Sequence, residues 1–213
     1  MIRSRTVSQM SKEDKFWKWF AENEDALFGF DPNDVATREV LFDKLQSKLH
    51  QVHRGLAFEF SPPGEATREF VISADGMKDV FRAVVSLSKS APSLSRWKIT
   101  AFRPRRSPIM PIEIGTSKID PSELQFTLLH DGRNVGIQIF IPGVQEGELV
   151  WQQIGYLMLD QALGEFDVET RLGLIKILAP ESHTDGVRHP FVELPTRFDQ
   201  LISILEGRSA QPS

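Results

Sequence analysis

The stretch LQFTLLHDGRNVGIQIFIPG, residues 124–143, constrains the fold more than any other. Leu124, Phe126 and Leu128 recur at every second position, and so do Val135, Ile137, Ile139 and Ile141. Period two places each set on one face of a strand. Between the two runs, Asp131-Gly132 supplies the chemistry of a tight turn. The stretch therefore predicts a β-hairpin with one buried face. A helix is expected next, from about Glu146 to Leu163, ended by Gly164. RLGLIKILAP then predicts a strand that stops at a proline.

The same succession occurs earlier in the chain. LAFEF and REFVIS read as a hairpin across SPPGEA, with Leu56, Phe58 and Phe60 on one face. Met77, Val80, Phe81, Val84 and Leu87 form the stripe of a helix over about 77–90, and RWKITAF is a further strand. The sequence thus predicts an α+β fold with two ββαβ units, residues 56–104 and 124–180. SADG corresponds to FIPG and AFRP to ILAP, but identity between the units is low, so the repeat is one of architecture. Mainly antiparallel pairing is expected, and two such units could join into one larger sheet with both helices on one face, although the sequence does not decide between one sheet and two.

Two N-terminal helices, within 12–53, and a C-terminal helix, 196–206, complete a single expected domain over 12–206. Ser11 with Asp14 caps the first helix, and the stripe Phe16, Trp17, Trp19, Phe20 and Leu27 reads as core. Leu41, Leu45, Leu49 and Val52 give the second helix its stripe, and PIEIG predicts a short strand in the connection between the units. Residues 1–11 and 207–213 read as disordered tails, with Met10 a plausible physiological start.

Composition narrows the function classes. A net charge of −4 argues against a dedicated nucleic-acid binder. The absence of cysteine rules out disulfides and thiolate zinc sites, and fits a reducing cytoplasm. No apolar run approaches the roughly 18 residues that a membrane span needs, and the N-terminal residues show no secretory h-region. Phosphate-loop, dinucleotide-binding, hydrolase-elbow and zincin motifs are all missing. His50 and His53 stand one helical turn apart, but nothing nearby completes a metal set, so they read as surface histidines near a helix end. No cofactor or metal is expected.

Asp160 is the most informative polar residue. It lies in the last turn of a helix, among Leu157, Met158, Leu159, Ala162 and Leu163. An unpaired buried carboxylate there is unfavourable, so Asp160 must reach the exposed stripe or find a donor. Gln153, Tyr156 and Asp160 share one side of that helix, and Glu165 and Asp167 follow its cap. Arg103, in the AFRPRRSP segment, is the expected donor to Asp160 or Glu165, as a tie between the two units. Arg105 and Arg106 are expected to face water from the connector. Asp75, Arg103, Tyr156, Asp160 and Glu165 are the candidate cleft or inter-unit residues.

ISADG, AP-x-L-x-x-W-x-x-x-AFRP and LMLD-x-ALGE-x-D resemble landmark segments of a bacterial family of conserved proteins with no assigned function, over most of residues 12–205. The resemblance implies a bacterial cytoplasmic protein and transfers no catalytic residue. Two functions stand foremost. The first is a non-enzymatic protein-interaction or regulatory module, with another protein or a second copy as partner, since no nucleophile, phosphate loop or metal cluster is present and α+β sheets offer open edges. The alternative is an enzyme or small-ligand binder, with the five candidate residues lining a cleft, although no reaction class follows from them. Nucleic-acid binding through RPRR with Trp97 and Phe102 ranks last, given the acidic total.

Overall fold

A computed structural model describes residues 10–62, 66–114, 117–145 and 148–209. The expected tails at 1–9 and 210–213, the tip of the SPPGEA turn and the start of the helix expected at Glu146 lie outside the described residues. The chain is α+β and divides into two compact units, Met1–Phe102 and Arg103–Ser213. The sequence suggests one domain over 12–206, with a first ββαβ block reaching residue 104; the division instead falls between Phe102 and Arg103.

The first unit begins with α1 (Lys12–Glu22), where Ser11 and Asp14 form a reciprocal capping box. Asn23 interrupts the expected single helix, and α2 (Glu24–Gly29) follows. Asp34 caps α3 (Val35–Val52) by accepting from the Thr37 N–H. Strands β1 (Ala57–Phe60), β2 (Arg68–Ser73) and β3 (Trp97–Ala101) form a sheet in that order, with α4 (Phe81–Lys89) between β2 and β3 in the chain. β1 and β2 are antiparallel, whereas β2 and β3 run parallel.

An aromatic core fills this unit. Phe16, Phe20, Phe58, Phe60 and Trp97 surround Phe70 or one another at ring separations of 5.0–6.3 Å. The Trp17 indole N–H donates to the Leu87 carbonyl at 2.8 Å, which fixes α1 to the end of α4. Arg68 is almost wholly buried at 3% exposure. Its guanidinium donates to the carbonyls of Ser61 and Phe28, at 2.9 and 3.0 Å, and lies 4.1 Å from the Phe30 ring centre. It thereby holds the end of α2, whose last carbonyls have no helical partner, against the sheet.

Among the described residues the second unit holds two sheets. A small antiparallel pair joins β4 (Ile112–Ile114) and β5 (Ser117–Ile119). The larger sheet has the order β8-β7-β6-β9. β6 (Gln125–Asp131) and β7 (Asn134–Phe140) form the expected hairpin, with Asp131 opposite Asn134. β7 and β8 (Leu172–Leu178) are parallel, and β9 (His189–Pro190) pairs only with Gln125 and Phe126 of β6. Whether the two units share one sheet is left open by the sequence; among the described residues the strands lie in three separate sheets, and each of the two larger ones contains a parallel pair where mainly antiparallel pairing is expected. The reason is topological: a helix that crosses back over a sheet returns its strand in the same direction as the one it left.

Helices α5 (Leu149–Leu163), α6 (Glu165–Arg171) and α7 (Leu194–Ser209) build the other layer of the second unit. Ile154, Met158, Leu159, Val168, Phe198 and Leu205 share a core with Phe126, Ile137 and Ile139. A side chain at Gly155 would overlap Ile177, its Cβ falling 2.2 Å from Cδ1, so the glycine sets how closely α5 approaches β8. α7 starts at Leu194, earlier than the expected Thr196, because Pro195 is tolerated in a first helical turn. It runs to Ser209, into the segment expected to be a tail.

Candidate functional site

The segment that opens the second unit is fastened to the α5–α6 junction by its main chain. Arg103 N–H donates to Glu165 Oε2 at 3.0 Å, and the Arg103 carbonyl accepts from Glu165 N–H at 2.9 Å. Arg106 N–H donates to the Gln161 carbonyl at 2.7 Å, and the Gln161 amide bonds both main-chain groups of Met110. Gly164 makes this close approach possible. It adopts φ 80° and ψ 144°, a region open essentially to glycine, and a Cβ there would lie 3.3 Å from the Arg103 carbonyl oxygen.

Three of the five candidate residues meet here. Glu165 is fully buried, with Arg103 N–H directed at its carboxylate. Arg103 Nη1 lies 3.4 Å from Asp160 Oδ2, with both side chains largely buried. The tie between Arg103 and these acids therefore exists, but all three residues belong to the second unit, so it is internal to that unit. Burial pushes the Asp160 carboxyl up to about 7; the Arg103 charge opposes the rise, and Glu165 and Glu169 add to it. Tyr156 lies one turn earlier on α5 and is 39% exposed. Its hydroxyl is shifted upward by partial burial and by the Glu169 charge. Asp75 belongs to the first unit, in the turn after β2, where its N–H donates to Ser73 Oγ at 2.9 Å.

Arg105 makes a wider set of contacts than Arg103 does. It is exposed, as the sequence suggests, but it is also anchored: its Nε donates to the Leu163 carbonyl at 2.8 Å, a group that the end of α5 leaves without a helical partner. Nη1 and Nη2 grip both oxygens of Asp199 at 2.9 Å, and Nη2 also reaches Asp167 Oδ2 at 2.8 Å. Arg171 continues the chain of charges, bonding Asp167 at 3.0 Å and Glu206 at 2.7 Å. Arg105 so joins the segment to α5, α6 and α7 at once. Its acid on α7 is 94 residues away in sequence, a separation at which no local pattern signals a pair.

The histidines behave as helix-end residues. His50 Nε2 accepts from the Gln46 amide at 2.6 Å, and His53 Nδ1 accepts from Gly55 N–H at 3.1 Å. Among the described residues no group of three or more His, Asp or Glu side chains is placed to hold a metal ion. No described helix is long and apolar enough to cross a membrane. The arrangement as a whole binds a connecting segment to three helices. It offers one chemically unusual group, the Asp160 carboxyl.

No family model, curated protein or solved structure matches this chain.

Proposed function

We propose that this protein is a non-enzymatic interaction or regulatory module of the cytoplasm, acting through contact with another protein or a second copy of itself. The observation that carries the reading is the surface of α5. Among its 15 residues only Asp160 is charged, yet Leu149 is 79%, Tyr156 39% and Leu157 38% exposed. A helix face that meets only water is normally rich in charge. Depletion of charge with retained aromatic and aliphatic surface is the composition of an interface centre. The arginines that would otherwise recruit phosphate support the same reading, because Arg103 and Arg105 are engaged by Asp160, Asp167 and Asp199. The cysteine-free composition supports the compartment.

The test is site-specific photocrosslinking in cells from Leu149 and Leu157, together with sedimentation velocity of the purified chain. The reading expects discrete adducts from the two leucines and none from Lys98, which is exposed on the first unit. Absence of adducts, with a monomer in sedimentation, would overturn it. A second reading, a small-ligand binder or enzyme using Asp160, is favoured by a carboxyl near neutrality beside an arginine. It requires Asp160→Asn to remove a binding or catalytic activity while the fold persists.

A further inference from the structure

The second unit contains a groove that none of the residues above uses. It has a volume of about 290 Å³ and lies between α7 and the β6–β9 side of the larger sheet. Arg197, Gln200, Leu201 and Ile204 form one wall, at the i, i+3, i+4, i+7 spacing that puts four side chains on one helix face. Leu128, Val187 and His189 form the other.

Two features of the groove point to the same occupant. The first is an open strand edge. β9 covers β6 only at Gln125 and Phe126, and Gly186 lies against Thr127, so from Leu128 to Asp131 this side of β6 has no strand beside it among the described residues. An uncovered edge presents main-chain donors and acceptors to an incoming extended chain. The second is charge. The lining contains Arg197 and His189 and no acid. Glu193 engages only Arg197 Nε, at 2.7 Å. The two terminal nitrogens of that guanidinium, the His189 ring nitrogens and the Gln200 amide make no hydrogen bond among the described residues, and so remain available to a ligand. Val187 and Ile204, 72% and 51% exposed, add apolar surface.

We propose that this groove binds an extended apolar peptide through its free C-terminal carboxylate. The carboxylate sits at Arg197 and His189, the last side chain lies between Leu128, Leu201 and Ile204, and the preceding residues run along the open edge of β6. A chain terminus is favoured over an internal acidic residue because β9 already occupies the edge beside Phe126, where His189 is its partner. A strand added alongside β6 must stop there. The volume accommodates about two or three residues, at the small end of the range for ligand pockets. This inference rests on the interaction-module reading and names the partner's chemistry.

The probe is a fluorescein-labelled pentapeptide ending in Val-Leu with a free carboxylate, titrated into the full chain and followed by anisotropy. Saturable binding is expected. C-terminal amidation and Arg197→Gln should each weaken it at least tenfold, with little further loss when combined, because both remove one interaction. Ile204→Glu should abolish binding; Ile204 is half exposed, so circular dichroism should show an intact fold. Equal affinity for the acid and amide peptides, no saturable binding of the acid, or full competition by hexanoate at equal concentration would each overturn the proposal. Adducts at Leu149 and Leu157 that persist while the peptide fails to bind would remove this site alone. Loss of both would remove the module reading as well.

Discussion

Replacing Asp160 with asparagine should stabilise the protein, and by an amount that grows with pH. The carboxyl titrates near 7 in the fold, against 3.8 for an unperturbed aspartate. A group whose folded pKa is raised binds more protons folded than unfolded between those values. Stability therefore falls as pH rises from about 4 to about 7 and levels off above. At about 1.4 kcal/mol for each pH unit of that interval, the penalty at pH 8 has a ceiling of about 4 kcal/mol. Local relaxation and water entry reduce this, and we expect Asp160→Asn to gain about 2 kcal/mol at pH 8 and almost nothing at pH 4. Urea unfolding at a series of pH values, followed by tryptophan fluorescence, reads this out. Trp151 is the single tryptophan of the second unit, which Trp17, Trp19 and Trp97 precede. A difference that stays constant with pH would refute the reasoning. So would an asparagine variant less stable at pH 8, which would mean that the carboxylate is ionised and held firmly by Arg103.

Two other substitutions test the packing that positions the site. Gly164→Ala forces a side chain into a glycine-only conformation, with its Cβ 3.3 Å from the Arg103 carbonyl; we expect a loss of about 2–3 kcal/mol in urea unfolding, and a loss below about 0.5 would contradict the close approach. Arg68→Ala removes a buried guanidinium from the carbonyls of Ser61 and Phe28 and from the Phe30 ring; about 3 kcal/mol should be lost from the first unit, and thermal unfolding unchanged within a few degrees would rule out this role.

Much of the architecture is legible where a side chain acts on its own neighbourhood. The Ser11–Asp14 box, the Asp131-Gly132 hairpin and the Gly164 terminus all follow from residues within a few positions of the feature they make. What escapes local reading depends on partners far along the chain. Strand direction in β3 and β8 follows from crossovers, not from the composition of LGLIKIL or WKITA. β9 is two residues long and has no periodicity to detect, and α6 is a single short helix that begins directly behind a glycine. Asp160 illustrates both sides. Its apolar neighbours announce burial and the need for a donor, and Arg103 supplies that donor. Arg105, two residues further on, reads as solvated, because the acid that claims it stands on the last helix. His189 and Arg197 carry no sequence signal at all; they become a pair only when α7 packs against the sheet.

Whether the arginines after Phe102 hold acids of their own unit is the central question, and a double-mutant cycle on Arg105 and Asp199 measures it directly. Arg105→Ala alone should cost about 2 kcal/mol, since the Leu163 carbonyl and two carboxylates lose a donor together. With Asp199→Ala as the second change, the two effects should fall short of additivity by about 1 kcal/mol. Additivity within about 0.3 kcal/mol would mean that the two side chains do not interact, and would contradict the account.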